Sequence, residues 1–219
     1  IKYIKTKRPF VILKIAMSAD GKIATSSGNS KYITSKEART YVHQLRTEVD
    51  ALMVGLNTVI RDNPELTPRF VKGKDPMKIV VDSRLKIPKN CILMKDPKKL
   101  IIATTNKAPK NEIKKLQQRG VNVIITKSKQ GMVDLQDLMK HLGKHEITNI
   151  MIEGGSELNS SAIREGVVDK MLIFTAPKLI GNGLGAIGNL GIKKINKAIE
   201  LKNPACKKIG RDMLITSYI

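Results

Sequence analysis

Apolar residues along this chain come in short continuous runs, at 10–17, 51–54, 78–81, 100–103, 121–125, 149–152 and 170–175. Runs of four to eight such residues have strand length, and unbroken apolar runs fit strands whose two sheet faces are both covered. Between them the spacing changes to that of helices. Thr34 and Glu37 have capping-box spacing and predict a helix over 35–49, with Ala38, Val42, Leu45 and Val49 on one face. Helical patterns follow at 110–119, 135–142 and 156–165, the last closed by Gly166 in the C-cap position. Strands alternating with helices predict an α/β fold with a mostly parallel central sheet flanked by helices. Beyond Lys193 the pattern predicts one or two antiparallel edge strands at the C-terminus. There is no internal repeat, and the loop at 72–76 is too short to separate domains, so 1–219 reads as a single domain.

Composition changes this picture in two respects. Aromatic residues make up only 3%, with no Trp, so aliphatic side chains must supply the core. The net charge of +21 raises the question of nucleic acid. The lysines are scattered, however, in pairs such as Lys98-Lys99 and Lys207-Lys208, and no aromatics interleave with them to make a stacking platform. The charge therefore reads as a solvated surface that helps attract an anionic small molecule, and no specific nucleic-acid partner is expected. No apolar run approaches the ~20 residues of a membrane span. The run at 10–17 is broken by Lys14 and lacks a cleavage site, so it reads as a strand rather than a signal peptide. Cys91 and Cys206 have no metal spacing, and a reducing cytoplasm is the default.

Four segments could carry chemistry. Ser18–Lys22 (SADGK) stands directly after the first strand, where open α/β sheets bind ligands; the competing reading is a polar turn with Gly21 at positive φ. A second strand ends at Gly55 and a short helix can begin there, with Thr58 and Asp62 four apart on one face. Arg46 and Arg69 offer guanidinium forks that match phosphate geometry. Finally, the strand ending at Ile152 runs into Glu153-Gly154-Gly155-Ser156-Glu157. There bare amides at a helix N-terminus suit a phosphate, and the plainer reading is a tight turn with Ser156 as N-cap. Gly183–Gly188 matches the dinucleotide pattern G-x-G-x-x-G, but no βαβ unit follows, and it reads as a flexible glycine-rich loop. His141 and His145 are four apart without a third ligand, and neither Ser18 nor Ser156 sits in a nucleophile elbow.

Taken in order, the segments MSADGK (17–22), YITS (32–35), HQLR (43–46), VGLNTVIRDNP (54–64), LTPR (66–69), VDS (81–83), EGGSELN (153–159), EGVVD (165–169) and APKLIG (176–181) resemble the riboflavin-pathway reductases. That resemblance implies a dihydrofolate-reductase-like fold. In bacteria the domain is usually fused behind a zinc deaminase, whose Cys/His motif is not found in this sequence. The resemblance is therefore to the stand-alone archaeal and fungal type, which reduces 2,5-diamino-6-ribosylamino-4(3H)-pyrimidinone 5′-phosphate. It implies NADPH, with NADH as the alternative, and a homodimer. It also implies site residues. Thr58 and Asp62 would meet cofactor and substrate near the reacting centre. Ser83, Arg84 and Leu85, with Gly154, Gly155, Ser156 and Glu157, would line the cofactor. Arg46 and Arg69 would hold the 5′-phosphate, with Ser30 and Leu66 nearby, and Tyr32 stands where bacterial members often carry Trp. Lys22 and Glu153 would stand close to the reactive atoms, and the proton donor stays open among Asp62, Lys22 and water. The alternatives are a deaminated-uracil or pterin substrate on the same fold, or a basic nucleic-acid-binding protein.

Overall fold

A computed structural model describes residues 1–219. Thirteen strands run β1 (Phe10–Ser18), β2 (Lys22–Thr25), β3 (Ala51–Gly55), β4 (Met77–Val81), β5 (Leu100–Thr105), β6 (Asn122–Thr126), β7 (Ser128–Lys129), β8 (Met132–Val133), β9 (Asn149–Ile152), β10 (Lys170–Ala176), β11 (Gly183–Gly185), β12 (Lys202–Ile209) and β13 (Asp212–Tyr218). The helices are α1 (Lys2–Thr6), α2 (Lys36–Glu48), α3 (Leu56–Asp62), α4 (Lys110–Gln118), α5 (Leu135–Lys144) and α6 (Ser156–Arg164). Nine strands form one sheet in the order β12-β13-β10-β1-β9-β3-β4-β5-β6. From β10 to β6 all pairings are parallel, and the C-terminal hairpin β12–β13 adds an antiparallel edge. This is the mostly parallel sheet that the alternation predicts.

The period-2 alternation of each strand divides the core. Val11, Leu13, Ile15, Met53, Ile79, Ile101, Ile150 and Ile152 pack on one face with α5 and α6. Leu52, Val54, Val80, Ile102 and Met151 face the other way. On that second side, toward β10 and β13, Ala38 and Val42 of α2 meet Leu172, Phe174 and Leu214. The cap of α2 differs from the expectation. The Ser35 hydroxyl, not that of Thr34, accepts the Ala38 N–H at 3.3 Å, because Ser35 has the extended backbone that a cap needs. In α6 the N-cap is Gly155 and Ser156 is already helical.

The short strands β2 and β11 pair into a separate antiparallel ribbon. The glycine-rich run at 183–188 is therefore neither a dinucleotide loop nor a free flexible loop. Gly183 sits so close to the Ala24 carbonyl oxygen that a Cβ would come within 2.3 Å of it. Only glycine allows the two strands this approach. No helix is long and apolar enough to cross a membrane.

Candidate active site

Parallel strands deliver their loops to one edge of the sheet, and the polar groups of the site gather there, beyond the ends of β1, β3, β4 and β9. Two cavities adjoin at this edge. The larger, of about 550 Å³, runs between the start of α3, the turn after β4, the start of α6 and the ribbon. The smaller, of about 340 Å³, lies over α2 and the loop after α3. Ile23, Ser30, Thr58, Asp62 and Gly155 line both. The predicted pair Thr58 and Asp62 thus stands on the shared wall, one helical turn apart. Gly155 stands beside Thr58, since a Cβ there would lie 4.0 Å from Thr58 Oγ1.

In the larger cavity, Ser83, Arg84, Ser156 and Glu157 all take part in the lining. The buried Asp82 shapes this wall by accepting the N–H groups of Arg84 (3.3 Å) and Ile87 (2.8 Å). Burial pushes the Asp82 carboxyl above its ordinary value, against those same backbone bonds. Leu85 departs from the expectation. At φ 53° its backbone turns over, and its side chain packs with the core cluster beneath β3 and β4 while Arg84 and Lys86 take the cavity side. Gly154 lines the smaller cavity instead of the larger one.

The floor of the smaller cavity is a buried ion cluster. Glu153 receives Arg46 through Nε (2.7 Å) and Nη2 (3.1 Å), and Lys14 Nζ at 3.2 Å. Burial alone would raise the Glu153 carboxyl, but Arg46 and then Lys14 outweigh it and hold the carboxyl down at about 2. Glu153 is therefore ionised at neutral pH and cannot serve as a proton donor. Arg46 Nη1 also donates to the Thr67 carbonyl at 3.0 Å. Three of its five guanidinium N–H groups are thus used within the protein, and two are left for a ligand in the cavity that Arg46 lines. Arg69 is different. Its side chain is half exposed, tied only to Glu65 at 3.6 Å, and lines the cavity together with Leu66. Four cations (Lys14, Arg39, Arg46, Arg69) face two carboxylates (Asp62, Glu153), so this cavity is electropositive.

Lys22 lines neither cavity. Its N–H closes the turn after β1 on Ser18 Oγ at 2.9 Å, and Ile23 is the residue that β2 sends to both cavities. The lysine of the smaller cavity is Lys14, whose only signal was a charge interrupting an apolar run. Tyr32 borders the smaller cavity, exposed, with the Arg39 guanidinium 4.1 Å from its ring centre. Sequence reasoning also gave no role to His43 or Asn159. His43 is buried and stacked on Phe70 at 4.2 Å. Burial first, then Arg46 and Arg69, hold its imidazole at about 4, hence neutral. Buried His43 Nδ1 and Asn159 Oδ1 have no partner in the protein, and both residues line the smaller cavity. Such orphaned groups fit a site completed by a polar ligand.

Comparison with known proteins adds a family. The family model described as RibD C-terminal domain matches residues 9–215. The riboflavin biosynthesis protein RibD of Actinobacillus pleuropneumoniae is 43% identical over 216 residues, which cover 97% of this chain and 57% of that protein. The chain thus spans little more than half the length of that relative. The 2,5-diamino-6-ribosylamino-4(3H)-pyrimidinone 5′-phosphate reductase of Methanothermobacter thermautotrophicus is 36% identical over 213 residues, 95% of this chain and 97% of that one. Among solved structures, a diaminohydroxyphosphoribosylaminopyrimidine deaminase/5-amino-6-(5-phosphoribosylamino)uracil reductase from Thermotoga maritima superposes with a TM-score of 0.80 at 26% identity, covering 99% of this chain and 58% of that chain.

Proposed function

The chain belongs to the RibD C-terminal domain family, and on that premise we propose that it reduces the ribosylamino side chain of 2,5-diamino-6-ribosylamino-4(3H)-pyrimidinone 5′-phosphate to the ribitylamino form, with NADPH, in riboflavin biosynthesis. The observation that carries this reading is the pair of adjoining cavities with Thr58, Asp62 and Gly155 on their common wall. Two ligands bound side by side would meet there.

The residues of the larger cavity fit a dinucleotide. Arg84 and Lys86 supply cations, the first N–H groups of α6 point at the cavity without helical partners, and Gly155 leaves the backbone bare for close approach. When bound, the nicotinamide supplies a hydride, which the ring-opened imine form of the sugar accepts at C1′. Everything else falls to the protein. Asp62 is exposed on the common wall, and a carboxylate there lowers the energy of positive charge on an iminium. Arg69 and Arg46 hold the 5′-phosphate, Arg46 from a position fixed by Glu153. His43 and Asn159 line the same cavity, each with one polar atom that no protein group satisfies. Glu153 is ionised and Lys22 lines neither cavity, which leaves Asp62 and water as proton sources.

A second reading concerns the base. The similar Thermotoga maritima protein is named a 5-amino-6-(5-phosphoribosylamino)uracil reductase, which makes the deaminated form of the same substrate the second candidate. Loss of NADPH absorbance on adding either pyrimidine, with purified protein, decides both points. Turnover of neither would refute the function. The family resemblance also supports a homodimer, and the exposed Ile192, Ile195, Ile199 and Leu201 offer it an apolar surface. Pro204 and Lys202, Lys207 and Lys208 on β12 oppose simple edge-to-edge strand pairing. A monomer by sedimentation would refute the dimer.

A further inference from the structure

The motif SADGK reads as a ligand site or a polar turn, and the structure gives its carboxylate a different task. Asp20 lines neither cavity. It accepts the Ser18 hydroxyl at 2.5 Å and, 160 residues further on, the N–H groups of Ile180 (3.1 Å) and Gly181 (2.7 Å). Those two residues lead into β11, as Asp20 leads into β2. One carboxylate therefore joins both roots of the ribbon. The end of the ribbon where Gly185 pairs with Lys22 is also tied to α6, where Asn159 Nδ2 donates to the Ala186 carbonyl (2.9 Å) and Ser160 Oγ accepts the Gly188 N–H (2.7 Å).

The ribbon is an edge element of two short strands, with its own little sheet and no pairing to the main one. Two strands alone are marginal in water, so its position depends on such ties. Yet it carries Ile23, which faces both cavities, and Ala24 and Leu184, which face the larger one. We propose that Asp20 is a positioning residue for the reaction: by clasping the two roots of the β2–β11 ribbon it fixes the height of that ribbon over the cavities, and so the fit of dinucleotide and substrate, without touching either.

The assignment rests on the functional reading above, in which the larger cavity takes the dinucleotide. A carboxylate suits the task because it only accepts, and three donors converge on it. Asp20→Asn keeps the shape but turns an amide N–H₂ toward at least one of those donors. The expected result is a Kd for NADPH raised about tenfold by fluorescence titration, the loss of one charge-assisted bond's worth. Circular dichroism should stay unchanged, and hydrogen exchange at Ile180 and Gly181 should be faster. Ser18→Ala, which removes one donor and leaves the carboxylate, should shift both readouts the same way by less. A purely structural role would lower the melting temperature and leave Kd of the folded protein within about twofold of wild type; that result, or unchanged exchange at Ile180 and Gly181, overturns the assignment. Wild-type protein that binds no nicotinamide dinucleotide overturns the functional reading and this assignment together, whereas wild-type binding with an unaltered Asp20→Asn variant overturns the assignment alone.

Discussion

Replacing Glu153 by Gln removes the only anion of the buried cluster and leaves Arg46 and Lys14 facing each other with side chains 12% and 15% exposed. Two routes give the cost. Breaking one partner out of a buried ion pair costs about 3–5 kcal/mol. Independently, the Glu153 carboxyl lies at about 2 against a reference of 4.5, and a gap of that size is worth roughly 3 kcal/mol by linkage. The sign follows from the direction. A carboxyl lowered on folding stabilises fully above its unfolded value near 4.5, and that contribution fades as pH falls from there through about 2. Gln does not titrate. Urea unfolding of wild type and Glu153→Gln should therefore differ by about 3 kcal/mol near neutral pH, equivalent to about 6–12 °C in melting temperature for a chain of this size. The difference should shrink below pH ~4.5 and be nearly gone by pH ~2, while the other carboxylates cancel between the two proteins. A gap that stays constant from neutral pH down to pH ~3, or one under about 1 kcal/mol at neutral pH, would refute the claim that this cluster is a charge-balanced part of the fold.

Three further outcomes test the site. Asp62→Asn should lower kcat by about tenfold to a thousandfold with little change in stability, since Asp62 is exposed and unpaired in the protein; near-normal kcat would reduce it to a helix end before Pro64. Arg69→Ala should raise KM for the phosphorylated substrate about ten- to a hundredfold, and far less for the dephosphorylated analogue; an equal effect on both would mean that Arg69 holds something else. Gly155→Asp puts a negative charge where helix amides face the larger cavity, so NADPH titration should weaken strongly, and an unaltered titration in folded protein would remove the start of α6 from the dinucleotide site.

What could be read from the sequence follows physical range. The parallel strands were legible because burial on both faces imposes an unbroken apolar run, as at 100–103 and 149–152. Thr58 with Asp62 was legible because helix spacing is local, and the turn at Gly154-Gly155 because a strand running into glycines and then a helix is a local pattern. The ribbon was not, since Lys22–Thr25 and Gly183–Gly185 are strands only by virtue of each other, far apart in sequence. Lys14 was read as a flaw in an apolar run, because its partner Glu153 becomes its neighbour only when β9 pairs with β1. The anchoring of Arg46 was hidden for the same reason: the carboxylate that fixes it lies 107 residues away. Leu85 was carried over by motif, and its backbone at φ 53° sent the side chain inward.

The place of β1 in the sheet has a consequence for how the chain is made. It leaves the ribosome before every other long strand of this sheet, yet both its neighbours, β9 and β10, come from residues 149–152 and 170–176. At about 5–20 residues per second, the segment 10–18 waits on the order of ten seconds or more for any partner. During that time Val11, Leu13 and Ile15, fully or almost fully buried afterwards, are open to water and to other chains. The strands β3 to β6 can pair among themselves meanwhile, so half of the sheet can form before the central strand has a seat. Lys14, which the finished protein neutralises with Glu153, is in that interval the one charge within an apolar strand, and a charge at that position opposes aggregation. The same residue would thus serve the nascent chain as a gatekeeper and the mature cavity as a floor.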